Sequence, residues 1–119
     1  MTIAAPTGSS RELPHPRREE IRLEAVLHAL SDPLRLQVVR ELAADGGECS
    51  CSHFDLPVTK STTTHHFRVL REAGVIRQVY RGTAKMNGLR GDELDGLFPG
   101  LLDSVLAAAA RQIVRLGDR

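Results

Sequence analysis

Aromatic residues are scarce in this chain of 119 residues, with three Phe, one Tyr and no Trp. A core built from it must be aliphatic, assembled from Leu, Val, Ile and Ala. Long apolar runs are missing too. Nothing approaches the roughly 20 consecutive apolar residues that a membrane-spanning helix needs, so no membrane partner is expected. The opening MTIAAPTGSS lacks the basic start and long apolar stretch of a secretory leader, and the expectation is a cytoplasmic protein. Only two cysteines occur, Cys49 and Cys51, one residue apart. A disulfide between such close neighbours is strained, which excludes a secreted disulfide framework. Absent as well are a glycine-rich phosphate loop, a Ser/His/Asp spacing and a paired-carboxylate constellation, so an enzyme is not expected.

What is present is an ordinary globular balance, 41% apolar and 26% charged, enough for one domain. The net charge of +1 says little by itself. Its distribution says more. Between residues 60 and 90 stand seven basic side chains (Lys60, Arg68, Arg71, Arg77, Arg81, Lys85, Arg90) against one acidic one, Glu72. A basic stripe confined to a quarter of the chain is the footprint of a phosphate-binding face. A solvated surface explains the charge alone equally well.

Along the chain, residues 1–17 mix Pro, Gly, Ser and charges without a period and read as a flexible N-terminal arm, leaving 18–119 as the folded domain. Ile21, Ala25, Val26, Leu27 and Leu30 predict a helix over 18–30. Asp32-Pro33 closes it and opens a second, since Pro suits a first helical turn but disfavours helix in the residue before it. That helix carries Leu34, Leu36, Val38, Val39 and Leu42 and stops at Gly46-Gly47. Residues 48–57 predict a short element of at most two helical turns. Thr59 suits an N-cap for a helix over 60–73 that ends at Gly74. Its apolar side is Thr63, Phe67, Leu70 and Ala73; its other side carries Lys60, Ser61, Thr64, His65 and Arg68. Segments 75–80 and 83–89 flank Arg81-Gly82 and predict a β-hairpin. A short helical turn over 92–98 and a long helix from Pro99 to about Leu116 complete the chain.

The segment KSTTTHHFRVLREAGVI (60–76) resembles the recognition helix and following turn of the arsenic-repressor (ArsR/SmtB-type) family of winged helix-turn-helix regulators. Ser61, Thr64, His65, His66, Leu70, Arg71, Glu72, Ala73 and Gly74 match that family's pattern, with Phe67 in place of Leu and Lys60 in place of Gln. LSDPLRLQVVREL (30–42) is similar to the family's second helix, and the resemblance covers roughly residues 20–106. It implies a mainly α fold with a small β-hairpin, in the order α-α-α-α-β-β-α, and a DNA-binding homodimer whose first and last helices pack against their symmetry mates. The last helix has more apolar face than one small core covers, and its Ala107–Ala110 run allows close helix approach. The same face folding onto its own domain is the alternative.

In that setting the helix over 60–73 enters the major groove of a double-stranded operator with its N-terminal residues toward the bases. Short Ser61, Thr62 and Thr64 let the backbone come close, and Lys60 with the helix N-terminus suits phosphates. His65 and Arg68 reach bases or backbone, while Arg81 and Lys85 on the wing track the neighbouring groove. His65 and His66 do not converge on one ion, because adjacent helical residues diverge by about 100°; His66 is expected half-buried. A winged-helix interaction module that reads no DNA is the competing function.

Family members often sense metals or redox species. Glu48-Cys49-Ser50-Cys51 matches a recurrent Cys-x-Cys site ahead of the recognition helix, which would hold a thiolate-bound metal or metalloid at Cys49 and Cys51 with a third ligand from His53, His15 or a partner chain. The family's leucine before the first Cys and acidic residue after the second are absent, Ser52 standing in the latter place. The segment to Ser61 is about one residue short. A thiol redox switch and incidental cysteines are the other readings. A second recurrent site, with Asp and His along the last helix, fails because that helix has no His.

Overall fold

Asp32-Pro33 shows how local chemistry builds the first corner of the computed structural model, which describes residues 10–117. Asp32 is extended, as the residue before a proline must be, and its Oδ2 accepts from the backbone N–H groups of Leu34 (2.9 Å) and Arg35 (3.1 Å). It thereby caps α2 (Pro33–Asp45), which follows α1 (Leu23–Leu30) and ends on left-handed Gly46. α3 (Lys60–Glu72) starts at Thr59, whose hydroxyl accepts from Thr62 N–H at 3.2 Å. After α3 the chain turns on Gly74, with φ at +86°. A Cβ there would sit 2.6 Å from Cγ1 of Ile21, so both the backbone and the available room require glycine.

The strands β1 (Ser10–Glu12), β2 (Cys49–Ser50), β3 (Ile76–Arg81) and β4 (Ala84–Leu89) form one antiparallel sheet in the order β1-β3-β4-β2. The β3–β4 hairpin pairs Gln78 with Asn87 and Tyr80 with Lys85, turning at Gly82. α4 (Gly91–Leu97) and α5 (Leu101–Leu116) follow, meeting at a 112° bend. No single helix among the described residues is long and apolar enough to cross a membrane. The core gathers Val26, Ala29 and Leu30 of α1, Val38, Val39 and Leu42 of α2, Phe67 and Leu70 of α3, and Val75 and Ile76 leading into the hairpin. It is aliphatic as composition requires, apart from one edge-to-face contact of Phe54 with Phe67.

The mainly helical fold with a β-hairpin is as expected, but four elements differ in detail. Residues 18–30 are not one helix: Arg18–Glu20 make a 3-10 turn, Ile21 is extended under Gly74, and α1 begins at Leu23. The third element is not helical beyond one 3-10 turn, Cys51–His53, because Cys49 and Ser50 pair with Asn87 and Met86 as β2. The last helix starts two residues after Pro99, behind left-handed Gly100. Residues 10–17, assigned to the arm, supply β1 and a strap along β3, with Leu13 N–H donating to Gln78 O. Residues 1–9 lie outside the described residues. Hydropathy periodicity misses the strap because a three-residue edge strand is held by backbone pairing and ions, not by an apolar face.

The strap carries a titratable link. Gln78 N–H donates to Nε2 of His15 at 2.8 Å, which requires a neutral imidazole. Burial holds His15 below the ordinary histidine value of 6.5, with Arg77 and Arg90 acting in the same direction and Glu12 and a hydrogen bond with the Leu13 backbone opposing. Because the folded value is depressed, this link stabilises fully above 6.5 and is lost as pH falls through the lowered value. Amide exchange at Gln78 is therefore expected to lose protection on mild acidification. His15→Leu removes that pH response; wild-type protection that stays flat across the window contradicts the link.

Candidate nucleic-acid interface

α3 divides cleanly by exposure. His66, Phe67 and Leu70 are buried, with Ala73 just past the helix end, while Lys60, Ser61, Thr64, His65 and Arg68 are exposed together on the opposite flank. Thr62 lies at the margin, half-buried. The N-terminal hydroxyls are mutually ordered: Thr59 Oγ1 is 3.1 Å from Ser61 Oγ and donates to Thr62 Oγ1 at 3.0 Å. So all six residues expected on this helix share its outer and N-terminal surface.

A buried cation sets the orientation of that helix. Arg35 is 7% exposed and sits on the same stripe of α2 as Val38, Val39 and Leu42. Its Nε–H donates to Ala29 O at 2.8 Å and its Nη2 to His28 O at 3.3 Å. Both carbonyls belong to the last turn of α1; that of Ala29 faces Pro33, which has no N–H to offer, while that of His28 also accepts from Ser31. Arg35 Nη1 lies 3.1 Å from Nδ1 of His66. Arginine can only donate, so Nδ1 accepts and the ring proton sits on Nε2. Asp32 Oδ2 is 3.8 Å from the same nitrogen. One guanidinium thus joins α1, α2 and α3.

The far end of α3 is tied to the sheet by a second chain. Arg71 Nη1 donates to Gln78 Oε1 (2.8 Å), Gln78 Nε2 to Asn87 Oδ1 (2.7 Å), and Asn87 Nδ2 to Cys49 O (3.1 Å) and Cys51 Sγ (3.2 Å). Gln78 and Asn87 are wholly buried and directly opposed in the hairpin.

On the wing, Arg81 is held by both oxygens of Glu48, at 2.7 and 2.9 Å, which keeps that carboxyl below the usual range. Lys85 stands 6.0 Å from the centre of the Tyr80 ring. Arg77 is paired with Glu12 and Glu93. The wing cations are therefore on the expected element but partly engaged with carboxylates from β1, α4 and the residue before β2.

The two cysteines occupy different settings. Cys49 is buried in the core, where burial, with Asp45 and Glu41 nearby, pushes its thiol up. Cys51 is half-buried and accepts from Asn87. His15, a proposed third ligand, is taken by the Gln78 amide, and His53 packs edge-on against Phe54. Among the described residues no three His, Cys, Asp or Glu side chains gather as a metal site.

Sequence patterning missed Arg35, although a signal existed: residue 35 falls at helical spacing with 38, 39 and 42. It missed the Gln78–Asn87 pair because two amides inside β-strands look like solvent-facing positions. Arg35→Met is expected to cost on the order of 3 kcal/mol in chemical denaturation, since it strands the Ala29 carbonyl and the His66 nitrogen. Arg35→Lys should recover only part, lacking the guanidinium fork. A loss within experimental error of zero for Arg35→Met would dismiss the node.

With this geometry in view, the comparisons with known proteins agree. A family model described as a helix-turn-helix domain matches residues 30–79. An uncharacterized HTH-type transcriptional regulator of Bacillus subtilis (strain 168), YceK, is 34% identical over 89 residues, covering 73% of this chain and 88% of that protein. The arsenical resistance operon repressor of the same organism is 31% identical over 77 residues, covering 64% of this chain and 73% of that protein. A solved ArsR family transcriptional regulator superposes with a TM-score of 0.56 at 21% identity, covering 82% of this chain and 98% of its own; that likeness concerns the fold. Exposed recognition flank, wing and relatives lead to one assignment: the chain belongs to the ArsR-type family of winged helix-turn-helix, DNA-binding transcriptional regulators.

Proposed function

We propose that the chain is an operator-binding repressor that works as a two-fold homodimer, each protomer laying the outer flank of α3 in a major groove. One observation carries this reading. Five polar or cationic side chains, Lys60, Ser61, Thr64, His65 and Arg68, are exposed on a single helix whose other side is locked into the core. Short side chains let the helix approach, and Arg68 offers the bidentate donors that read guanine. Arg81 and Lys85 lie on the wing, suited to the adjacent backbone, where phosphate can compete with Glu48 for Arg81.

The dimer is supported by apolar surface that the protomer leaves bare. On α1, Leu23 is 44% and Leu27 45% exposed; on α5, Val114 is 86% and Leu116 59% exposed. In α5 only Leu102 and Ala109 are buried. Two half-sites about one helical turn apart, roughly 34–36 Å, then match the two-fold axis. An interaction module is the weaker reading, because its docking helix would present apolar or acidic residues where Lys60, His65 and Arg68 stand.

Electrophoretic retardation with DNA from the chain's own promoter region is the test. Binding should weaken steeply between low and moderate salt through counterion release. The His65→Ala/Arg68→Ala variant should lose at least about tenfold, near 1.4 kcal/mol, while sedimenting as an unchanged dimer. Salt-independent binding, or full binding by that variant, contradicts the reading.

A further inference from the structure

The His66 ring sits in the joint between α2 and α3, its side chain 10% exposed. Its Nδ1 faces two groups of opposite sign. The guanidinium of Arg35 stands with Nη1 at 3.1 Å, and the carboxylate of Asp32 with Oδ2 at 3.8 Å. Arg35 can only donate, so the shorter contact holds only while Nδ1 carries a lone pair. An ionised Asp32 can only accept, so the longer approach becomes a hydrogen bond only once Nδ1 carries a proton. The two partners therefore suit opposite states of one nitrogen. Beside the ring on α3 is His65, with ring centroids 5.8 Å apart. α1 contributes the carbonyls of His28 and Ala29, both held by Arg35, and His28 itself is exposed.

We infer that His66 is a proton-operated switch of the recognition helix, held by Arg35 when neutral and passed to Asp32 when protonated. When Nδ1 takes a proton from solvent, the ring gains a positive charge and loses the lone pair that Arg35 uses. Two cations then face each other where little water screens them. Asp32, whose side chain is 30% exposed, supplies the opposite charge, and closing 3.8 Å to an ordinary hydrogen bond needs a shift of about 1 Å. Asp32 Oδ2 already accepts from the N–H groups of Leu34 and Arg35, so the shift draws His66 toward the first residues of α2. His65 is the next residue, exposed on the outer flank, and the flank moves with the ring. Acidification thereby weakens DNA binding, and DNA favours the neutral ring by the same factor. That coupling rests on the DNA-binding reading of α3; the exchange of partners does not.

Nitrogen-15 spectra of the imidazoles in the full chain, without DNA, test the exchange from about pH 8 to about pH 5, the span in which histidine changes charge. At the upper end His66 should show a bare Nδ1 and a protonated Nε2. As the ring protonates, the amides of Leu34 and Arg35 should shift with the same midpoint, because their acceptor gains a third donor. Asp32→Asn keeps a capping oxygen; in it the ring should protonate only in more acidic solution, with the amide response lost. His66→Asn places an amide oxygen near the position of Nδ1, an acceptor for Arg35 that does not titrate. Promoter DNA affinity of the wild type relative to His66→Asn should fall about tenfold across the same span, since His65 and His15 contribute alike to both. In Asp32→Asn that fall should move to more acidic solution. A His66 ring that stays neutral until the chain unfolds, or that protonates with the Leu34 and Arg35 amides unmoved, overturns the switch. A relative DNA affinity that stays level overturns the coupling. Absence of DNA binding at every pH, with the ring still changing partners, supports the switch and counts against the DNA reading alone.

Discussion

The contact between Arg35 and His66 is the constraint on which the recognition surface depends. A buried guanidinium is tolerable only when its donors are satisfied, and Arg35 finds acceptors on two other helices at once. Rotating α3 about its axis would carry His66 away and leave a charge unpaired in the core. Sliding α1 would strip the guanidinium of the Ala29 and His28 carbonyls. The apolar contacts of Phe67 and Leu70 supply attraction without much direction; the guanidinium supplies direction. At the other end, Arg71 reaches through Gln78 to Asn87, so α3 is pinned at its middle and at its last turn. Thr59 caps its start. The outward flank is presented by a helix fixed at three points along its length.

Electrostatics in the folded chain differ from the linear charge pattern. Of the basic residues between 60 and 90, Arg77, Arg81 and Arg90 have carboxylate partners that are distant in sequence or belong to α4: Glu12, Glu48 and Glu93. Lys60 and Arg68 are exposed on α3 with no ion-pair partner among the described residues. The recognition helix therefore presents cations that no carboxylate offsets, while those of the wing are engaged. Exposed ion pairs contribute little to stability, typically below about 1 kcal/mol, so exchanging Glu48 for a phosphate costs the fold little.

Much of this was legible beforehand, for identifiable reasons. α2 was bounded by its own end signals, Asp32-Pro33 and Gly46, and α3 by Thr59 and Gly74, because caps and left-handed turns are written in single residues. The outer flank of α3 followed from helical spacing of Phe67 and Leu70. What stayed hidden depends on partners far along the chain. β2 forms because Cys49 meets Asn87, and β1 because Glu12 and Leu13 meet β3, neither of which a local period can reveal. Ile21 reads as part of a helical stripe yet serves as the extended plug under Gly74. The cysteine pair matches a motif in sequence, but the fold buries Cys49 and engages Cys51 with Asn87, and spacing alone carries no information on either environment.

The most direct measurement is amide chemical-shift mapping on the labelled protein as promoter DNA is added. Large shifts are expected at Lys60, Ser61, Thr64, His65 and Arg68 and smaller ones at the tip of the β3–β4 hairpin, with the amides of Val38, Val39 and Leu42 unmoved. Shifts centred on another surface, or spread through the core as α3 reorients, would contradict this expectation.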